Sequence, residues 1–343
     1  SAIVIVAYTT LGGFLAASTT DFIQSIIMSV ALIVVLIFGV ETAGGIGAVI
    51  HNASELPGYL SMTLSYDVNT GKAAPYSALT IVSTAAWGLG YFGMPHILLR
   101  FMAIEDEKKL KLSRRVATIW VVISLFVAVF IGVIGYTMSK VGALEMLTGS
   151  NSETIIVKIS ALLSQHGVIF ALLAGVILAG ILASTMSTSD SQLLAASSAV
   201  SSDILGAFRK DSSNKNGSMA AARITLLVIS VVAAFIARNP DSSVFAIVSF
   251  AWAGFGAAFG PVVLFSLFWK RTSKWGALAG MVCGGSMVFI WKYLIRPLGG
   301  IWNIYELLPA FLIACAAIVI VSLLTPKPSK EIEEEFDRVA QMK

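Results

Sequence analysis

Val168-Ile169-Phe170-Ala171-Leu172-Leu173-Ala174-Gly175-Val176-Ile177-Leu178-Ala179-Gly180-Ile181-Leu182 carries no charge, and the chain then turns at once to Ser184-Thr185-Met186-Ser187-Thr188-Ser189-Asp190-Ser191-Gln192. A run of about 20 apolar residues crosses the hydrocarbon core as a helix, because lipid offers the backbone no hydrogen-bond partners. The stretch 167–186 is one of eight such runs, the others being 22–40, 80–103, 116–138, 219–237, 244–269, 275–295 and 307–324. Polar or Gly/Pro/Asn segments such as Arg238-Asn239-Pro240-Asp241 separate them. Composition agrees: 57% of the 343 residues are hydrophobic and 12% charged. Mean hydropathy is +0.87. Soluble domains run near 45–50% apolar and about a quarter charged. The 23 basic and 19 acidic side chains are too few to cover a soluble protein of this length. A soluble enzyme, a nucleic-acid binder and a disordered chain are thereby excluded. Cys283 and Cys315 both sit in apolar runs, so no disulfide framework is expected. The fold class is all-α integral membrane.

Lys and Arg set the orientation, since cytoplasmic connections carry the excess of positive charge. Seventeen of them fall in alternate connections and the tail, from Arg100, Lys108, Lys109, Lys111, Arg114 and Arg115 through Arg209, Lys210, Lys215 and Arg223 to Lys270, Arg271, Lys274, Lys327, Lys330, Arg338 and Lys343. The opposite side holds six: Lys72, Lys140, Lys158, Arg238, Lys292 and Arg296. The first set is read as cytoplasmic, and the C-terminus with it, in a multi-pass protein of the cell (plasma or inner) membrane. The basic runs, and the net charge of +4, are topology signals; no nucleic acid is expected as a partner. Ser1-Ala2-Ile3-Val4-Ile5-Val6-Ala7 reads as the tail of a span already under way, so the chain is expected to be N-terminally incomplete.

Polar residues at membrane depth carry the information about function. If the stretch after Leu182 is helical, Ser184, Ser187, Thr188 and Ser191 fall at i, i+3, i+4 and i+7 on one face, and Asp190 borders it. Clustered hydroxyl, carbonyl and carboxylate oxygens without His or Cys suit a hard cation. The carboxylates are too few for a calcium cage, so a weakly held monovalent ion fits better. Hydroxyls alone are also small residues that allow close helix packing and bond back to carbonyls one turn earlier. The intramembrane acid, which needs a partner, tips the reading towards an ion site. Asp21, in Thr20-Asp21-Phe22-Ile23-Gln24, is read from its own neighbourhood as a helix N-cap opening the first full span.

Three glycines and a proline interrupt the second run within Trp87-Gly88-Leu89-Gly90-Tyr91-Phe92-Gly93-Met94-Pro95-His96. The helix is expected to break there, near mid-membrane. Broken helices in lipid are tolerated where they line a cavity, and transporters use them to hold solute or ion. Trp87 and Tyr91, at i and i+4, form either an aromatic wall for a small solute or packing around a proline kink; the spacing leaves both open. Gly256-x-x-x-Gly260 ahead of Pro261 is a weaker signal of bending or close packing. His51, His96 and His166 are too scattered for a metal site, and no nucleophile–base pair is legible, so neither an enzyme nor a cofactor is expected.

Together, Tyr8-Thr9-Thr10-Leu11-Gly12-Gly13-Phe14 with Thr20-Asp21-Phe22-Ile23-Gln24, Ala86-Trp87-Gly88-Leu89-Gly90-Tyr91-Phe92-Gly93 with Pro95-His96-Ile97-Leu98, Met186-Ser187-Thr188 with Gln192-Leu193-Leu194, and Ala251-Trp252-Ala253-Gly254-Phe255-Gly256-Ala257-Ala258-Phe259-Gly260-Pro261 resemble the solute:sodium symporter family, above all its proline-transporting branch. The resemblance covers essentially the whole chain. It implies an inverted five-helix-repeat transporter fold, here as a single transmembrane transporter domain over 1–343. Residues 1–40 would end the first repeat, 80–269 form the second repeat (the span 167–186 extended towards 203), 275–324 supply two peripheral helices, and 325–343 make a cytoplasmic tail.

The resemblance also implies inward sodium-coupled uptake of a small amino acid, L-proline first, with sodium as co-substrate and the lipid bilayer as surroundings. Carried over by position, Ser187 and Thr188 would be hydroxyl ligands of the main sodium site, with the Ser184 carbonyl as a further one. A second sodium site in some members would draw on Asp21, Ser187, Asp190 and Ser191. Trp87, Tyr91 and Pro95 would lie on the solute side. Met94 stands where that branch carries a Gln, and Asp190 where it carries no acid. The alternatives are a sodium-coupled symporter of another small solute, or a membrane sensor module on the same scaffold.

Overall fold

The computed structural model describes residues 2–204, 215–237 and 243–341. Among the basic residues used for orientation, Arg209, Lys210, Arg238 and Lys343 lie outside these, as does the connection 238–241. The chain divides into two compact units: Ser1–Leu60 with Tyr66–Ala73 and Ala103–Ser242, and Ser61–Ser65 with Ala74–Met102 and Ser243–Lys343.

In the first unit, α1 (Ala2–Thr42) is two helical pieces meeting at Gly13, whose φ of 59° and ψ of −150° are non-helical. Glycine takes that conformation without strain, which other residues do not. The bend is sharp: a Cβ on Gly12 would lie 2.3 Å from that of Ala16. The N-cap reading of Asp21 is overturned. The helix resumes after Gly13, so Asp21 lies about two turns inside it, and Thr20 Oγ1 donates to the carbonyls of Ala16 and Ala17 as an interior residue does. A glycine turn, with no polar cap, starts this span.

Behind it come α2 (Ile46–Ser54), α5 (Leu110–Lys140), α6 (Ile155–Leu163), α7 (Val168–Ser198) and α8 (Lys215–Ile236); α3 and α4 belong to the second unit. Val35, Ile131, Ile134, Met138, Ile159, Leu163 and Ile177 form the buried core. Gly39 and Gly180 admit the close approaches, since a Cβ there would meet Ile134 Cγ2 at 2.7 Å and Ala31 Cβ at 2.6 Å. The apolar run expected over 167–186 is only the start of α7. The hydroxyl-rich stretch continues the helix, and π-helical turns over Ala199–Ile204 extend it. Ser187, Thr188 and Ser191 satisfy their hydroxyls on carbonyls within the preceding turn, so none disrupts the ladder.

In the second unit the run 80–103 is broken, as its glycines foretell. α3 (Ala78–Ala85), capped by the Ser77 side chain on the Thr80 N–H, runs into a 3₁₀ stretch (Ala86–Gly93). Met94 is extended, and α4 (Pro95–Met102) restarts the helix on its proline. Then follow α9 (Val244–Phe268, containing Pro261), α10 (Lys274–Ile290), α11 (Leu307–Leu324) and α12 (Lys330–Gln341). Gly276, Gly280 and Gly284 line α10 where Ser322, Ile318 and Ala314 of α11 press in.

Among the described residues, six helices are long and apolar enough to span a membrane: Ile3–Thr42, Glu107–Lys140, Val168–Ile204, Val244–Phe268, Lys274–Leu298 and Leu307–Leu324. The run 219–237 is a shorter apolar helix, Ala220–Ile236. The connection between the first two expected spans holds a hairpin the sequence reading lacks, β1 (Leu64–Asp67) and β2 (Lys72–Pro75), turning through Gly71 at φ 65°.

Candidate ion and solute sites

On α7 the sequence-predicted oxygens come together. The Ser187 and Thr188 hydroxyls both donate to the Ser184 carbonyl, at 3.2 and 3.3 Å, and the Ser191 hydroxyl donates to the Ser187 carbonyl at 3.0 Å. The Asp190 side chain is 0% exposed. Its Oδ1 lies 3.2 Å from Ser191 Oγ, and its Oδ2 accepts a 2.7 Å hydrogen bond from the Tyr8 hydroxyl. Tyr8 comes from the first piece of α1. From the second piece, Gln24 is within hydrogen-bonding reach of the same phenol, and Asp21 is near enough to act on it electrostatically.

A buried carboxylate inside an apolar helix needs charge or hydrogen bonds to hold it. The partners seen for Asp190 are hydroxyls, which stabilise the anion without cancelling its charge. The cluster is therefore rich in oxygen and holds a carboxyl group with no basic partner seen beside it among the described residues, the chemistry that suits a hard cation. Gln24 Oε1 and Thr9 Oγ1, on the same helix, are buried without a hydrogen-bond partner. Among the described residues no group of three His, Cys, Asp or Glu could hold a metal ion, so this is no multi-carboxylate cage. Sequence reading missed Tyr8 as a site residue. It stands 182 positions from Asp190, and only the turn at Gly13 brings its helix piece back.

The second unit holds the aromatic residues. Trp87 is stacked on three rings: Phe245, Trp252 and Tyr305, at centroid distances of 5.7, 5.3 and 5.9 Å. Trp252 Nε1 donates to the Trp87 carbonyl at 2.9 Å, answering a backbone acceptor freed by the broken helix. Tyr91 meets the edge of Trp252 at 4.8 Å and stays 46% exposed, so its ring has room for a further contact. Pro95 opens α4 next to the extended Met94, which is buried.

Glycines make this geometry possible. A Cβ on Gly93 would meet Phe255 O at 2.4 Å, and one on Gly256 would meet Gly90 Cα at 2.7 Å. Gly256-x-x-x-Gly260 is thus a seam of close backbone contact with the broken stretch, as its spacing suggested. Phe245, Trp252 and Tyr305 were not read as site residues. The aromatic run of α9 gave a signal for Trp252; Tyr305, just ahead of α11, gave none.

The long apolar helices, the broken one among them and the oxygen-lined α7 define a multi-pass helical membrane protein. The chain belongs to the Sodium:solute symporter family, whose model matches residues 1–284. It is 38% identical over 327 residues to the osmoregulated proline transporter OpuE of Bacillus subtilis (strain 168), covering 95% of this chain and 63% of the relative. The high-affinity proline transporter PutP of the same organism is 39% identical over 336 residues, covering 97% and 66%. The sodium/proline symporter of Haemophilus influenzae is 40% identical over 339 residues, covering 97% and 64%. The chain spans a little under two thirds of the length of these relatives. A solved Na+-coupled sialic acid symporter in a substrate-bound, outward-open state matches with a TM-score of 0.72 at 17% identity, over 96% of this chain and 66% of that one. The fold class is accordingly the all-α, inverted-repeat transporter fold.

Proposed function

We propose that the protein is a secondary active transporter coupling inward sodium flow to uptake of a small amino acid, L-proline before others. The observation that carries this reading is the fully buried Asp190, held by neutral hydroxyls among the oxygens of α7, in a chain whose relatives are named proline transporters. Sodium is taken by Ser184 (through its carbonyl), Ser187 and Thr188, with Asp190, Ser191 and Asp21 offering a second set of oxygens. The solute is taken beside Trp87, Tyr91 and Pro95 at the helix break. Coupling then requires no contact between ligands, only that each favours the conformation the other needs. Residues 1–40 close a first repeat, 80–269 form the second, 275–324 are peripheral, and 325–343 face the cytoplasm of a cell whose plasma or inner membrane holds the protein. No organic cofactor enters the cycle.

The test is uptake of labelled L-proline by proteoliposomes containing the intact protein. Accumulation driven by an inward sodium gradient, and absent under an equal potassium gradient, is expected. Uptake indifferent to sodium overturns the coupling. Sodium-driven uptake of another solute, with proline failing to compete, overturns proline as the cargo.

A further inference from the structure

Asp190 is described above as a candidate ligand, yet a carboxylate on a helix has rotamers to spare, and an ion site needs one of them fixed. Two groups restrain it. Ser191, its neighbour on α7, approaches Oδ1 at 3.2 Å, a long bond from an adjacent residue. The Tyr8 phenol, from a different helix, donates to Oδ2 at 2.7 Å, the length of a strong bond to a carboxylate. Tyr8 is itself held from the other side, where the Gln24 side chain reaches its oxygen. Gln24 is buried, and its Oε1 is without a hydrogen-bond partner among the described residues. The Tyr8–Asp190 hydrogen bond thus ties the first piece of α1 to α7, with Gln24 of the second piece close by.

We infer that Tyr8 is the positioning residue of the cation site: it occupies one Asp190 oxygen and leaves the other beside the Ser191 hydroxyl. This rests on the ion-site reading of Asp190. Its consequence is specific. With Oδ2 engaged, Asp190 meets the cation through one oxygen, and no side-chain ordering remains to be done when the ion arrives. Without the phenol, the carboxylate turns among its rotamers, and binding must order it again.

The experiment compares wild type, Tyr8→Phe, Asp190→Asn and the double variant of the intact protein. Two quantities are read: the sodium concentration giving half-maximal uptake, and the sodium-induced rise in melting temperature of purified protein, which needs no transport. Tyr8→Phe keeps the ring and its packing and loses only the donor. It is expected to raise half-saturating sodium about tenfold, the scale of one hydrogen bond to a charged group. The half-saturating solute concentration at saturating sodium is expected to stay within about twofold, a split that general destabilisation does not produce. Asp190→Asn is expected to raise half-saturating sodium at least as much, and Tyr8→Phe to add nothing in that background. Tyr8→Met, which removes the donor with a different shape, carries the same expectation should the phenylalanine variant fold poorly. Unchanged sodium dependence in Asp190→Asn overturns the ion-site reading. A shift in Asp190→Asn with none in Tyr8→Phe, or effects of the two that multiply, overturns the positioning role alone.

Discussion

Replacing Gly93 by Ala tests whether close backbone packing shapes the helix break. The added methyl would lie 2.4 Å from Phe255 O, 2.8 Å from Gly260 N and 2.9 Å from Gly256 Cα. All three are backbone atoms of α9, so no flexible side chain can yield. Carbon–oxygen contacts settle no closer than about 3.3 Å, so the broken stretch must retreat by roughly 1 Å. That retreat also opens the neighbouring contact of Gly256 with Gly90. A gap of about 0.5–1 Å forfeits a quarter to a half of each contact's dispersion energy. Overpacking in well-filled cores costs about 1–3 kcal/mol, and rigid neighbours on every side argue for the upper end. A loss of about 3 kcal/mol shifts the folded population by roughly a hundredfold. Gly88 is the control from the same stretch, because a Cβ there meets nothing within 4 Å. Gly88→Ala is expected to melt within a degree or two of wild type. Thermal unfolding in detergent, followed by monodispersity on size exclusion, reads both. Equal melting temperatures for the two variants would show that the seam between the break and α9 is soft, and the packing account would fail.

Four further outcomes are expected. Ser187→Ala and Thr188→Ala raise the sodium needed for uptake far more than they lower expression, and unchanged sodium dependence in both removes them from the site. Tyr91→Ala weakens solute binding with a smaller effect on sodium, while Trp87→Ala also lowers the melting temperature because three stacked rings lose their centre; solute affinity unchanged in both makes the aromatics packing only. Arg296→Met strands the carboxylate of Glu306, which is 2% exposed and paired at 3.0 Å. The loss is about 3 kcal/mol, since the start of α11 offsets part of it, and melting recovers when Glu306→Gln is added. Glu55 is held below the usual carboxylate range by the Lys140 ammonium beside it. Its small stabilising share is therefore complete above that range and lost as pH falls through the lowered value, so Glu55→Gln flattens the acid limb of a melting-temperature profile.

Much of this was legible in the residues. Hydropathy located the six long apolar helices, because a helix in lipid must satisfy its own backbone hydrogen bonds. Gly88, Gly90, Gly93 and Pro95 announced the break, because helix propensity there is poor whatever surrounds it. The one-face spacing of Ser184, Ser187, Thr188 and Ser191 survives in the structure because the last three hydroxyls bond to carbonyls of the preceding turn and α7 continues as a helix. The misreading of Asp21 has a physical cause. An acid followed three residues later by Gln has the chemistry of a cap, but Gly13 had already turned the chain, and propensity rules do not say which of two adequate signals acts. Tyr8, Phe245 and Tyr305 were hidden for another reason. Periodicity shows which face of a helix turns inward, and says nothing of which distant residue it meets there.

On the proposed reading, one of those hidden residues, Tyr8, explains how one helix face can serve an ion. In lipid, a polar group can be satisfied by neighbours that cancel its charge or by neighbours that leave the charge standing. Glu306 takes the first course with Arg296, and the pair is structurally closed. Asp190 takes the second, with the Tyr8 hydroxyl donating to Oδ2 and the Ser191 hydroxyl 3.2 Å from Oδ1, both of them neutral groups. Both carboxylates are buried, so burial alone does not separate a structural acid from a functional one. The partner's charge does. A neutral donor steadies the carboxyl group, and no fixed positive charge seen among the described residues competes with a cation for it. On the proposed reading, a phenol beside a buried acid leaves open the place for a cation that a guanidinium would fill.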